Sequence, residues 1–306
     1  MRIGAATEAR GKAEAGRRKT EAGGKKTHTA MKGEGMSIQG RMENGSGRRL
    51  LRRSAAALLG AALIAGCQGE DSARDQYRLE GIEKMDQGDY EGAIASFEEA
   101  IAHSDGRVGE FEVDVLKYRG EAEYKAEDYP AAAHTYDVLL QVDGEEPDYY
   151  YLRSMAYSAQ GMTAEAEADA QAAAGLEQER GEVSPVMDEA MTALGGAWLG
   201  AGDEEKAQTA FDRVLTAGAA TAGTYNALGL ACLDGGQAEL AADYFEQGLA
   251  LAQSGSEEYG LLLRNRAAAL EHSGDFAGAL ELFQQYTASY GTDEAIEREI
   301  RFLETR

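Results

Sequence analysis

The stretch YNALGLACLDGGQAELAADYF, Tyr225–Phe245, decides the fold. It sets Tyr225 ahead of Leu228-Gly229, then Gly236, Ala241 and, four residues on, Phe245. The same frame fits Tyr77, Gly81, Gly88, Tyr90, Ala93, Phe97 and Ala100. It returns at Gly120, Tyr129, Ala132 and Tyr136, and again at Tyr150, Tyr157, Gly161, Ala166 and Ala173. Leu194, Gly195, Trp198, Gly202, Ala207 and Phe211 follow, and Gly274, Phe276, Ala279 and Phe283 close the series. The alanines at 93, 132, 166, 207, 241 and 279 are 39, 34, 41, 34 and 38 residues apart. A period of that length belongs to stacked helical units.

Within each unit an apolar stretch at helical spacing runs up to a glycine, and a second stretch follows. Glycine ends a helix well because it accepts the left-handed backbone conformation. Gly88-Asp89, Gly202-Asp203 and Gly274-Asp275 therefore predict a C-terminal glycine followed by the cap of the next helix. The alanine after each turn suits a close helix crossing, where axes approach to roughly 8–10 Å. The aromatic four positions later lies on the same helix face and is expected to fill the space between hairpins.

These positions resemble the tetratricopeptide repeat, whose signature is an aromatic, Leu-Gly, a tyrosine, and later Ala, Phe and Ala in a 34-residue unit. The resemblance covers residues 75–290 and is best from Met191 to Thr216 and from Tyr225 to Ala252. The third unit departs from it, with Ser154 for the glycine and Ala170 for the aromatic; the last has Arg266-Ala267 for Leu-Gly. It implies an all-α fold, an α-solenoid of about six hairpins. Residues 291–306, with Ile296, Ile300, Phe302 and Leu303 apolar, predict a capping helix over the end of the stack. Residues 102–113 and 176–187 exceed the strict period and predict a lengthened helix or surface loop. Pro130, Pro147 and Pro185 fall near predicted helix starts, where a missing N–H costs nothing.

Ahead of the repeats, Arg48, Arg49, Arg52 and Arg53 precede the apolar run Ala55–Gly66 and then Cys67. The run is too short for a transmembrane helix, which needs about 20 apolar residues. Ile64-Ala65-Gly66-Cys67 resembles the bacterial lipobox, which implies a signal peptide over 42–66 and a lipid on Cys67. The plainer alternative is a secretory peptide with an incidental cysteine. Acylation with two or more chains would anchor the protein to a membrane, by a short tether at 67–74. Residues 1–41 are rich in Gly, Lys, Arg, Glu and Thr, a disordered composition, and translation is expected to begin at Met42 or Met36.

Residues 1–66 hold 14 Lys+Arg and 5 Asp+Glu, a net of +9. Of the chain's 30 basic and 54 acidic residues, the remainder keeps 16 and 49, a net of −33. Such a surface repels phosphate backbones, so nucleic acid is not an expected partner. The bland reading of the charge is a solvated exterior; the sharper one is a groove that attracts basic peptides or cationic wall components.

Chemistry is sparse. His28, His103, His134 and His272 lie apart, none with a metal-ligand spacing, and no phosphate loop or nucleophile elbow is present. Cys232 replaces a tyrosine and reads as a buried thiol. No metal, cofactor or enzymatic activity is expected. In the family the first helix of each unit lines the concave face. The resemblance then places Asp114, Lys117, Glu121, Tyr124, Tyr151, Met155, Asn226, Leu230, Leu233, Arg264 and Glu271 in the groove. The family's carboxylate clamp is not matched, since only Lys117 and Asn226 hint at it. Two function classes stay open. One is an anchored scaffold or adaptor in the bacterial cell envelope, outside the cytoplasm, binding a protein or peptide. The other is a stand-alone surface receptor for basic peptides or wall polymer.

Overall fold

A computed structural model describes residues 71–306, apart from Asp105 and Ala219. Over these residues the repeating frame becomes six helix hairpins. The first three are α1 (Asp71–Gln87) with α2 (Tyr90–Ala102), α3 (Glu110–Lys125) with α4 (Tyr129–Val142), and α5 (Pro147–Ala159) with α6 (Thr163–Arg180). The next three are α7 (Met187–Gly200) with α8 (Glu204–Ala217), α9 (Ala222–Asp234) with α10 (Ala238–Leu251), and α11 (Glu257–Ser273) with α12 (Phe276–Tyr290). A last helix, α13 (Glu294–Leu303), closes the stack. The all-α solenoid of six hairpins and a cap is the fold. Its first helix begins at Asp71, slightly ahead of the start expected at 75. The segment 1–66, with Cys67 behind it, lies outside the described residues.

The turns follow from local chemistry. Gly88, Gly202 and Gly274 sit in the left-handed region at φ +79°, +81° and +91°, which no Cβ obstructs. The aspartate after each accepts a hydrogen bond from a backbone N–H of the next helix. Asp89, Asp203 and Asp275 bind Gly92, Lys206 and Gly278 at 3.0, 3.1 and 2.9 Å. The second unit keeps this cap at Asp128, yet places Glu127 in the left-handed position at φ +62°. A side chain there costs roughly 1–2 kcal/mol, part of which glycine gives back as unfolded-chain entropy. Glu127→Gly is therefore expected to stabilise the fold by about 0.5–1 kcal/mol. A denaturant midpoint that moves down at unchanged slope would contradict a strained turn.

The closest crossings are not made by the alanines alone. Ala93, Ala166, Ala207, Ala241 and Ala279 are buried as expected, but the first-helix glycine lies beneath the second-helix ring. A Cβ added to Gly81 or Gly229 would stand 2.5 Å from the ring of Phe97 or Phe245, and one on Gly195 would strike Phe211. The third unit trades volumes. Ala170 removes the ring, and Ser154 occupies the glycine's place with its hydroxyl donating to the Ala166 carbonyl at 2.7 Å. In the last unit Ala267 and Phe283 share one core cluster with the cap.

Both long links resolve into helix plus loop. Residues 106–109 lead without helix into α3, whose Glu112 accepts a hydrogen bond from the Gly109 N–H at 2.8 Å. The other link extends α6 to Arg180, turns at Gly181 (φ +72°), and reaches α7 at Met187.

Asp293 caps α13, which buries Ile296 and Leu303 against Ala267, Ala279 and Phe283. Phe302 stays 39% exposed beneath the Arg306 guanidinium. Where α13 meets α11, Glu271 approaches Glu299. Burial first, then the Glu299 charge and a hydrogen bond with it, push the Glu271 carboxyl up to about 7 from its ordinary 4.5, against a smaller opposing pull from His272. Because the folded value is raised, this contribution to stability is present in acid and is lost as pH rises from about 4.5 through about 7. Glu271→Gln is expected to flatten the fall of melting temperature across that window. Equal slopes for variant and parent would rule the pair out as its source.

Candidate functional site

First helices of successive units stand side by side, α5 against α7, α7 against α9 and α9 against α11. Together with α3 they wall a groove of about 1930 Å³. Seven of the residues expected there line it: Asp114, Lys117, Glu121, Tyr124, Met155, Asn226 and Leu230. Asn226 is only 7% exposed, and its amide oxygen accepts a hydrogen bond from Asn265 Nδ2 at 2.7 Å, so it joins α9 to α11.

Tyr151, Leu233 and Arg264 do not line it. On α5 the groove row runs through Leu152, Met155 and Ala159, and a step of one residue rotates a side chain by about 100°. Tyr151 therefore faces inward to the core, fully buried, with its hydroxyl donating to Glu177 at 3.0 Å. Leu233 packs into the core shared by α7–α11 rather than onto the row of Leu230 and Asp234. Helix α11 meets the groove only with its first turns, at Glu257, Glu258 and Leu261. Arg264 lies further along, its guanidinium 5.7 Å from the Tyr286 ring, and Glu271 further still, at the cap.

The groove lining carries a set of tyrosines and several acidic residues. Tyr118, Tyr124, Tyr136 and Tyr149 share the lining with Lys117, whose ammonium is 5.4 Å from the Tyr149 ring and 3.9 Å from Asp143. Lys125 pairs with Glu121, and Arg78 with Asp114. Burial, with Tyr129 and Glu189 nearby, pushes the Tyr124 phenol up to about 12. The Glu189 carboxyl is pushed up by burial and then by Glu121 and Asp188; burial does the same to Asp188 and Asp234. At Glu189 the Lys125 charge pulls the other way, whereas no cation opposes the shift at Asp188 or Asp234. Asp188 and Glu189 escaped the sequence reading because the 176–187 link shifts the repeat register there.

Among the described residues no cluster of three or more His, Cys, Asp or Glu is placed to hold a metal ion. Cys232 is buried, which pushes its thiol up to about 12 and disfavours the reactive thiolate. None of the described helices is long and apolar enough to cross a membrane.

One tetratricopeptide-repeat model matches residues 78–149 and 226–294, and a second matches 147–180. The chain is a tetratricopeptide-repeat protein. The matches omit the fourth hairpin (α7 and α8), which the structure nevertheless builds on the same glycine-aromatic crossing. Among solved structures, this tetratricopeptide protein is similar to PilW, a widely conserved type IV pilus biogenesis factor. That match has 17% identity, 76% of this chain and 98% of the other covered, and a TM-score of 0.52. It is also similar to the apo quorum sensor NprR from B. thuringiensis, at 12% identity, 84% and 74% coverage and a TM-score of 0.51. At such identities the likeness is one of fold. No curated protein matches the sequence significantly.

Proposed function

We propose that this tetratricopeptide-repeat protein is a non-catalytic scaffold that holds a segment of a partner protein in the groove along α3, α5, α7 and α9. A lipid on Cys67 tethers it to a membrane, facing outside the cytoplasm in a bacterial envelope. The groove itself carries the reading: one continuous concavity of about 1930 Å³ with an apolar floor at Leu152, Met155, Ala193 and Leu230. Its run across α3, α5, α7, α9 and α11 suits an extended or helical segment better than a small metabolite. The Arg-flanked apolar run ending at Cys67 supports the tether.

Two measurements test the proposal. Photo-crosslinkers placed at Tyr124 and Met155 in the native cell are expected to capture a partner that outer-face positions on α6 do not. Equal capture from both faces would sink the groove. Cys67→Ser is expected to move the protein out of the membrane fraction; retention there would dispose of the lipid anchor. A mild-detergent pulldown that returns no stoichiometric partner would favour the stand-alone receptor instead.

A further inference from the structure

Cations are distributed unevenly over the molecule. Seams between helices away from the groove hold matched pairs. Arg153 grips Asp169 through two hydrogen bonds of 2.8 Å and reaches Asp137 at 2.9 Å. Lys206 meets Glu167 at 2.7 Å, and Arg266 meets Glu246 at 2.9 Å. Inside the groove the balance is reversed. Lys117 and Lys125 are the basic side chains on its lining, and each faces a carboxylate of its own. Asp188, Glu189, Asp234, Glu257 and Glu258 have no ion pair among the described residues, and all five line the groove.

Helix geometry does not account for all of them. Asp188, Glu189, Glu257 and Glu258 stand in the first turns of α7 and α11, where the helix dipole favours an anion. Asp234 is the last residue of α9, where the dipole opposes it. It is an exposed residue that lines the groove together with Ala227 and Ala231. On the α5 wall, Ser158 is 7% exposed and its hydroxyl has no hydrogen-bond partner, a rare condition for a buried polar group. The lining thus combines carboxylates that belong to no ion pair, a buried unpartnered hydroxyl and an apolar floor.

Resting on the scaffold reading above, we infer that the occupant is a lysine- or arginine-bearing amphipathic segment of the partner. Its apolar face lies on Leu152, Met155 and Leu230, and its cations reach Asp188, Glu189, Asp234, Glu257 and Glu258. The net of −33 beyond residue 66 adds long-range attraction, which salt screens over roughly 8 Å at physiological strength. Acidic segments are repelled by the same field.

The test uses the purified full chain and a fluorescent peptide of leucine and lysine at helical spacing. Binding is followed by anisotropy at increasing salt. One variant carries Asp188→Asn, Glu189→Gln, Glu257→Gln and Glu258→Gln. A control carries Glu165→Gln and Glu179→Gln on α6, which contributes nothing to the lining. The groove variant is expected to bind the peptide about tenfold or more weakly, about 1.4 kcal/mol, and the control about as well as the parent. A peptide with glutamate for lysine is expected not to bind. Equal weakening by groove and control variants, or no binding of the lysine peptide, overturns the inference. If Met155 crosslinks still capture a partner, and its captured segment lacks basic residues, the scaffold stands and only its basic occupant falls. Circular dichroism confirms that the variants keep their helices.

Discussion

Phe245→Ala is expected to destabilise the protein by about 3–5 kcal/mol, and Phe211→Ala by a similar amount. Both rings are fully buried, each laid over the glycine of the preceding helix. Removing one opens a cavity that rigid neighbouring helices cannot close. The complementary change, Gly229→Ala, forces a methyl to within 2.5 Å of the Phe245 ring and is expected to cost roughly 1–3 kcal/mol. Combined, the two changes should cost clearly less than their sum, because the added methyl enters space the ring has vacated. Denaturant unfolding of the parent, both singles and the double measures this. Strict additivity would mean that ring and glycine do not meet, and the repeat register would be wrong.

Glu177→Ala is the second large expected loss, about 3–5 kcal/mol. Glu177 is 4% exposed and ties four parts of the chain together. Its carboxylate accepts hydrogen bonds from the Tyr151 hydroxyl on α5 at 3.0 Å and the Ser184 N–H in the long link at 2.7 Å, and it pairs with Arg213 on α8. Removal leaves a buried phenol and a buried backbone N–H unsatisfied and strands the guanidinium, which is only partly solvated. Glu177→Gln keeps the volume and one acceptor oxygen, so it should cost less than the alanine change. Comparable losses for both would assign the effect to charge; no loss for either would remove the network from the fold's energetics. The link at 181–186 should also become the first site of proteolysis in Glu177→Ala, since Ser184 then loses its bond to α6 and keeps its hydroxyl's bond to Asp148.

Much of this architecture is legible from local pattern. The Gly-Asp turns at 88–89, 202–203 and 274–275 specify a helix end and the next helix start within a few residues. The alanine and aromatic at an i, i+4 spacing mark one helix face, as Ala241 with Phe245 shows. Asp128 could have been read as a cap in the same way, but Glu127 hid the turn by standing where the others have glycine. Ser154 and Ala170 looked like decay of the repeat; the structure shows one exchange compensating the other across the crossing.

The groove was legible only in part. Lys117, Glu121, Tyr124, Met155, Asn226 and Leu230 line it because their helices keep the register the repeat implies. Tyr151 and Leu233 miss it by a single residue step around a helix, a distinction that periodicity alone does not resolve. Arg264 misses it because α11 meets the groove with its first turns only. Asp188 and Glu189 belong to it because the long link at 176–187 sets where α7 begins.

The sequence by itself determined the hairpins, their number and their terminal cap, because turn chemistry and the glycine-aromatic crossing act within one repeat. It also carried the large acidic excess beyond residue 66. Only the tertiary structure decided where that charge lies outside ion pairs and which side chains face the concavity. Those depend on how each hairpin is rotated against the next, and that rotation is set by contacts such as Glu177 with Arg213 and Asn226 with Asn265, between residues 36 and 39 positions apart.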